Sequence, residues 1–182
     1  LKVMKKDIIL AGVGGQGILS IAATIGTAAV EKNLYLKQAE VHGMSQRGGD
    51  VHSNLRLSDK PIASDLIPMG KADLIISVEP MESLRYLNVL SDDGWLITNT
   101  TPFNNIPNYP DMDDLKAEIS KLPQHIAFDA DQMAKEIDVK KAANIVVLGA
   151  ASPFLDIEYE ALENAIRAIF KNKGQEVIDV NL

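Results

Sequence analysis

Two glycine-bearing segments carry the residue types best suited to chemistry. The first, Gly12-Val13-Gly14-Gly15-Gln16-Gly17, has the spacing G-x-G-x-x-G. Glycines so placed permit a tight turn, the close approach of a phosphate and close packing of a helix on a strand. The N-terminus of a following helix also attracts an anion. A dinucleotide site would further need an acidic residue beyond the second strand to hold a ribose hydroxyl. Glu40, 23 residues past Gly17, stands roughly there, although it opens the next glycine-rich stretch rather than closing a strand. A nicotinamide site and a glycine turn that only packs helix on sheet are both compatible with this motif alone.

The second segment is the more unusual: Glu40-Val41-His42-Gly43-Met44-Ser45-Gln46-Arg47-Gly48-Gly49-Asp50. Within eleven residues it brings together three glycines, a histidine, a guanidinium and two side chains able to hydrogen-bond. An arginine followed by Gly-Gly lets backbone N–H groups converge while a planar, permanently charged fork faces a carboxylate or phosphate. Arg47 is therefore the candidate for anion contact, His42 and Gln46 for polar contacts, and Gly48 and Gly49 for close backbone approach, with Gly43 and Ser45 counted among the candidate binding residues. The bland reading is a structural surface loop whose glycines serve its turns.

Other constellations are weaker. His42, His52 and Asp50 fit no common metal-ligand spacing, and His52 is expected to point outward from a strand. Ser45 and Ser53 lack the strand–elbow setting of a nucleophile, and no G-x-S-x-G occurs. Asp111, Asp113 and Asp114 read as a solvated helix start, where acids favour the helix dipole. Trp95 reads as packing.

The elements that must position these segments follow from hydropathy. Asp7–Ala11 is apolar on both faces, as in a buried parallel strand. Ile18 to about Lys32 places Ile18, Ile21, Ala22, Ile25, Ala28 and Ala29 on one helical face. Leu34–Gln38 reads as a second strand, so the chain opens β–glycine loop–α–β. That order puts both glycine segments at the carboxyl edge of one sheet. Residues 39–50 show no periodicity and read as a loop. Val51–Leu57 alternates like a half-exposed strand. Ala72–Val78 is a buried strand that leads through Glu79-Pro80 into a helix with Met81, Leu84, Leu87 and Leu90 in phase. Asp92-Asp93-Gly94 reads as a turn into the strand Trp95–Thr98. Residues 99–124, with four prolines, are irregular around a short helix, Met112–Ser120. A strand His125–Asp129 and helices Asp131–Ile137, Asn144–Ala151 and Glu158–Phe170 complete the pattern, the last closed by lysines and Gly174. The expected fold is α/β, a doubly wound, mostly parallel Rossmann-like sheet with helices on both faces, in a single domain spanning the 182 residues. Leu1–Val3 reads as an added remnant ahead of a natural start at Met4.

Composition narrows the function classes. There is no cysteine among the 182 residues, which removes disulfides, thiolate catalysis and cysteine-ligated iron–sulfur clusters. A formal charge of −7 argues against a nucleic-acid surface or a polybasic membrane patch. No apolar run approaches the roughly 18 residues needed to cross a bilayer. The expectation is a soluble, acidic protein of the cytoplasm.

Taken in order, the two glycine blocks followed by Glu79-Pro80-Met81-Glu82-Ser83-Leu84-Arg85 resemble one family closely: the gamma-type subunit or domain of 2-oxoacid:ferredoxin oxidoreductases. The similarity is greatest to its stand-alone form, the beta subunit of indolepyruvate-type enzymes. It runs from about Lys5 to the C-terminal helix and includes Asn144 and Leu148-Gly149-Ala150, which in the family lie on a buried helix. His42-Gly43-Met44-Ser45-Gln46-Arg47-Gly48-Gly49 is its most specific part.

The resemblance implies a reaction run by a hetero-oligomer. A 2-oxoacid is decarboxylated on thiamine diphosphate and Mg, electrons pass through iron–sulfur clusters to ferredoxin, and coenzyme A captures the acyl group. The cofactors would reside on a large partner subunit, and this chain would complete the active-site wall with Gly12, Gly14, Gly15, Gln16, Gly17 and the second block. A stand-alone NAD(P)-dependent oxidoreductase and a non-catalytic assembly subunit are the alternatives. The identity of the 2-oxoacid and of the group that the loops touch stays open at this level.

Overall fold

The computed structural model describes residues 4–43, 48–139 and 142–182. Met44, Ser45, Gln46, Arg47, Lys140, Lys141 and the expected remnant Leu1–Val3 lie outside the described residues.

The strands are β1 (Lys5–Val13), β2 (Tyr35–His42), β3 (Asp50–Ser58), β4 (Ala72–Ser77), β5 (Leu90–Asn99) and β6 (His125–Phe128). They form one sheet in the order β2-β3-β1-β4-β5-β6. Neighbours from β1 to β6 run parallel, whereas β3 is antiparallel to both β1 and β2. The helices are α1 (Ile18–Glu31), α2 (Pro80–Arg85), α3 (Met112–Ser120), α4 (Ala130–Glu136), α5 (Ala143–Ala151), α6 (Tyr159–Phe170) and α7 (Gln175–Asp179).

Both faces of the sheet are covered. Ile8, Leu10, Leu55, Leu57, Leu74, Ile76 and Ile97 bury against residues of α1, α5 and α6, among them Ile21, Ile25, Leu148 and Ile166. On the other face Ile9, Ala11, Ile75 and Leu96 meet Ile119 of α3, with Leu84 of α2 packed alongside. Adjacent residues Ile8, Ile9 and Leu10 serve alternate faces, which is why β1 is apolar without alternation.

Three local expectations are corrected. The stretch 39–50 is not all loop: β2 runs on to His42, with Ala39 paired to Asn54 and His42 to Val51. Ladder pairing satisfies that backbone whatever its side chains, so a polar edge strand leaves little hydropathy signal. The helix expected through Leu90 stops at Arg85. Leu90 instead begins β5 opposite Ala72, and Asp92-Asp93-Gly94 lies within that strand. Gly94 is needed there, since a Cβ would stand 2.5 Å from Leu90 Cδ1 and 2.9 Å from the Ala72 carbonyl oxygen.

The polar face of β3 is also not solvent-facing. Asn54 accepts from Ile67 N at 3.0 Å, and Arg56 donates to the carbonyls of Ser64 and Leu66, each at 3.0 Å. The loop between β3 and β4 thus lies over it. Beneath that loop Arg56 grips the fully buried Asp7 in two hydrogen bonds, of 2.7 and 3.0 Å, and Lys5 approaches the same carboxylate to 2.7 Å.

Candidate functional site

The antiparallel β3 decides where the glycine segments meet. Because Val13 pairs with Asp50 and Val51 with His42, the end of β1, the end of β2 and the start of β3 share one sheet edge. There the two glycine loops bond directly. Gly14 N donates to Gly49 O at 2.9 Å, and Gly48 N donates to Gly14 O at 3.4 Å. Gly43 N closes the base of the hairpin onto Asp50 O at 3.0 Å.

Within the first loop the residues divide by role. Gly12 is a packing position: a Cβ would come within 2.5 Å of Val78 Cγ2. Gln16 turns inward, accepting from Val13 N at 2.8 Å and donating to Val78 O at 3.4 Å, so its amide braces the loop from below. Gly17 precedes α1 with φ 79°, in the left-handed region that favours glycine. Around Gly15 nothing lies within 4 Å of where a Cβ would be, so that backbone is open to approach.

Gly15 and Gly17 separate two clefts. One, of about 310 Å³, lies toward the hairpin and is lined by Gly14, Leu19, Glu40 and His42. His42 is exposed there, with Nε2 2.6 Å from Glu40 Oε1. Glu40, expected at the opening of a loop, is instead a residue of β2. The other cleft, of about 650 Å³, is lined by Ser20, Asn99, Asp131, Asn144 and Lys173. Its floor is braced: buried Asn99 donates to Val78 O and to Asp131, and accepts from Thr101 N and Ala130 N. A phosphate or carboxylate entering here would meet the Lys173 ammonium and the first turn of α1.

The sequence-predicted residues Gly12, Gly14, Gly15, Gln16, Gly17, His42, Gly43, Gly48 and Gly49 are therefore brought to one edge. Ser45, Gln46 and Arg47 lie outside the described residues. Among the described residues no group of three or more His, Asp or Glu side chains could hold a metal ion, and no helix is long and apolar enough to cross a membrane.

A second polar cluster, on the α2 side of the sheet, escaped the sequence reading. His52 does not point into solvent: its Nδ1 lies 3.0 Å from the Tyr86 hydroxyl, with ring centroids 4.6 Å apart. Burial lowers the His52 pKa against the opposing pull of Asp50, so the neutral ring is favoured. Burial, with Glu82 and Asp50 nearby, pushes the Tyr86 hydroxyl up to about 12. Burial raises the Glu82 carboxyl too, opposed by Arg85, which binds it at 2.8 and 3.1 Å. Glu79 and Tyr109 pair alongside. These partners are 30 and 34 residues apart, and only the motif Glu79-Pro80-Met81-Glu82 marked the neighbourhood in advance.

Residues 7–182 match the family described as pyruvate ferredoxin/flavodoxin oxidoreductase. The chain is 35% identical to indolepyruvate oxidoreductase subunit IorB of Methanothermobacter thermautotrophicus, over 98% of this chain and 93% of the relative. It is 29% identical to 2-oxoglutarate synthase subunit KorC of Methanocaldococcus jannaschii, over 90% and 82%. Among solved structures, pyruvate oxidoreductase subunit PORC of Thermotoga maritima superposes with TM-score 0.72 at 24% identity, covering 97% of this chain and 90% of that one. A 2-oxoglutarate:ferredoxin oxidoreductase of Magnetococcus marinus, with 2-oxoglutarate, coenzyme A and succinyl-CoA bound, superposes with TM-score 0.74 at 21% identity. That match covers 97% of this chain and 29% of that one.

Proposed function

The chain belongs to the pyruvate ferredoxin/flavodoxin oxidoreductase family, and from that premise we propose that it is the small subunit of a 2-oxoacid:ferredoxin oxidoreductase of the cytoplasm. In that reaction a 2-oxoacid, coenzyme A and oxidised ferredoxin give the acyl-CoA, CO2 and reduced ferredoxin. An arylpyruvate such as indolepyruvate is the substrate favoured, because the relatives named for it are 35–36% identical against 29% for the 2-oxoglutarate relative.

The observation that carries the reading is the bonded junction of the two glycine loops, Gly14 to Gly49, between two open clefts at one sheet edge. This chain's part is to present that edge. Gly15 and the α1 N-terminus accept an anionic group, Lys173 adds its charge across the larger cleft, and His42 extends the polar surface on the hairpin side; Arg47, by the chemistry of its guanidinium, is a further candidate for anion contact. Coenzyme A, with its phosphates, is the ligand whose chemistry suits such an edge.

The residues present do not fit an iron–sulfur cluster, because without cysteine there is no thiolate to ligate one. In this reading thiamine diphosphate, Mg and the iron–sulfur clusters sit on a large partner subunit, and ferredoxin docks on the hetero-oligomer.

Viologen or ferredoxin reduction tests the assignment, measured for the chain alone and after anaerobic mixing with the candidate large subunit. Indolepyruvate, phenylpyruvate, pyruvate and 2-oxoglutarate would be run in parallel with coenzyme A. Turnover only in the mixture, fastest with an arylpyruvate, is expected. Silence in the mixture, with tight nicotinamide binding by the lone chain, overturns it.

A further inference from the structure

The segment between β5 and α3 belongs to neither glycine motif, yet it reaches the second of them and, through it, the first. Glu79 caps α2 through one carboxylate oxygen, Oε2, which accepts from Glu82 N at 2.8 Å. Its other oxygen faces away from the helix, accepting from Phe103 N at 3.2 Å and from the Tyr109 hydroxyl. The Glu79 residue is fully buried, and its bonds to Phe103 and Tyr109 run outward from it to a part-buried loop. A cap alone needs one oxygen. The second is spent on the loop, and it grips that loop at two points six residues apart.

Between those points lies Asn105, whose Nδ2 donates to Gly48 O at 2.7 Å. Gly48 and Gly49 are in turn the residues bonded to Gly14. A continuous chain of bonds thus runs from a buried carboxylate behind the sheet edge, through a loop, to the junction of the glycine loops. We propose that Glu79, Tyr109 and Asn105 are positioning residues that hold Gly48-Gly49, at the entry to β3, against Gly14. Their importance to turnover rests on the reading of that edge as the ligand-binding edge; the clamp itself does not.

The test separates the two. Amide hydrogen exchange, resolved by NMR in the full chain, is compared between wild type, Tyr109→Phe and Asn105→Ala. Tyr109→Phe removes one hydroxyl and leaves the α2 cap in place, so it keeps the test meaningful if Glu79→Gln fails to fold. The expected result is roughly ten-fold faster exchange at Gly14 and Gly48, with the β1 and β3 amides of Ile8 and Leu55 unchanged. Unchanged exchange at Gly14 and Gly48 overturns the clamp. So does acceleration spread evenly over the sheet, since that reports global destabilisation. In the reconstituted complex the same variants are expected to raise KM for coenzyme A several-fold while kcat moves less. Faster exchange at Gly14 and Gly48 with kinetic constants unaltered leaves the clamp standing and removes the ligand-edge reading instead.

Discussion

Asn144 Nδ2 donates to the carbonyl of Gly17 at 3.1 Å, across 127 positions of sequence. The contact ties the start of α5 to the start of α1 and forms part of the wall of the larger cleft. A Cβ on Gly17 would stand 2.6 Å from that same nitrogen.

Gly17→Ala therefore meets two costs: about 1–2 kcal/mol for a left-handed alanine and about 1 kcal/mol for the displaced Asn144 amide. In an Asn144→Ala background only the backbone cost remains. Urea denaturation of the four proteins in the cycle is expected to show a coupling of about 1 kcal/mol. A coupling of zero would mean that Asn144 moves aside freely.

Asp7 and Arg56 lie opposite each other on β1 and β3, with the carboxylate fully buried. Arg56→Ala leaves Asp7 with only the half-exposed Lys5, and it also frees the Ser64 and Leu66 carbonyls. The expected loss is about 3 kcal/mol, a fall in Tm of roughly 6–12 °C by calorimetry. A loss below about 1 kcal/mol would show that Lys5 suffices.

The His52 ring gives a pH signature. Its folded pKa is depressed below the ordinary 6.5 by burial, so the folded state binds fewer protons there than the unfolded chain does. The neutral ring's contribution is complete above about pH 6.5 and declines as pH falls through the folded pKa. Glu82, whose carboxyl is raised by burial, acts in the opposite sense as pH falls further, so the window that reads His52 is the first fall in pH below 7. Chemical denaturation across it is expected to show wild type losing more stability than His52→Gln. Equal slopes would place the acid sensitivity elsewhere.

Lys173 stands at the larger cleft, with Nζ 5.0 Å from the centroid of the Phe170 ring. Lys173→Ala is expected to raise KM for coenzyme A roughly five-fold, with kcat nearly unchanged, because a single charge contact is worth about 1 kcal/mol. Initial rates of the reconstituted complex at varied coenzyme A decide it. A fall confined to kcat would place Lys173 outside the binding step.

Much was legible from local pattern. The slim face of α1, the buried runs of β1 and β4, the Met112–Ser120 helix behind Asp111 and the amphipathic α6 stand close to where periodicity and capping put them. Each depends on residues within one or two turns of each other, and that information is contiguous. So is the chemistry of the glycine blocks, since a glycine's freedom and an arginine's charge need no partner to be recognised.

Other features were decided only by the tertiary structure. β3 inserts between β1 and β2 because its backbone pairs with both, and nothing in its own alternation names those partners. That Gln16 braces its own loop appears only once Val78 is seen beneath it, and His52 reads as exposed until Tyr86 closes over it. The bonds from Glu79 to Tyr109 and from Asn105 to Gly48 span 30 and 57 positions. Sequence spacing determines which residues share a face of a strand or helix. Which faces meet depends on chain reversals and on how the covering segments satisfy buried polar groups, and that is settled only when the whole sheet is assembled.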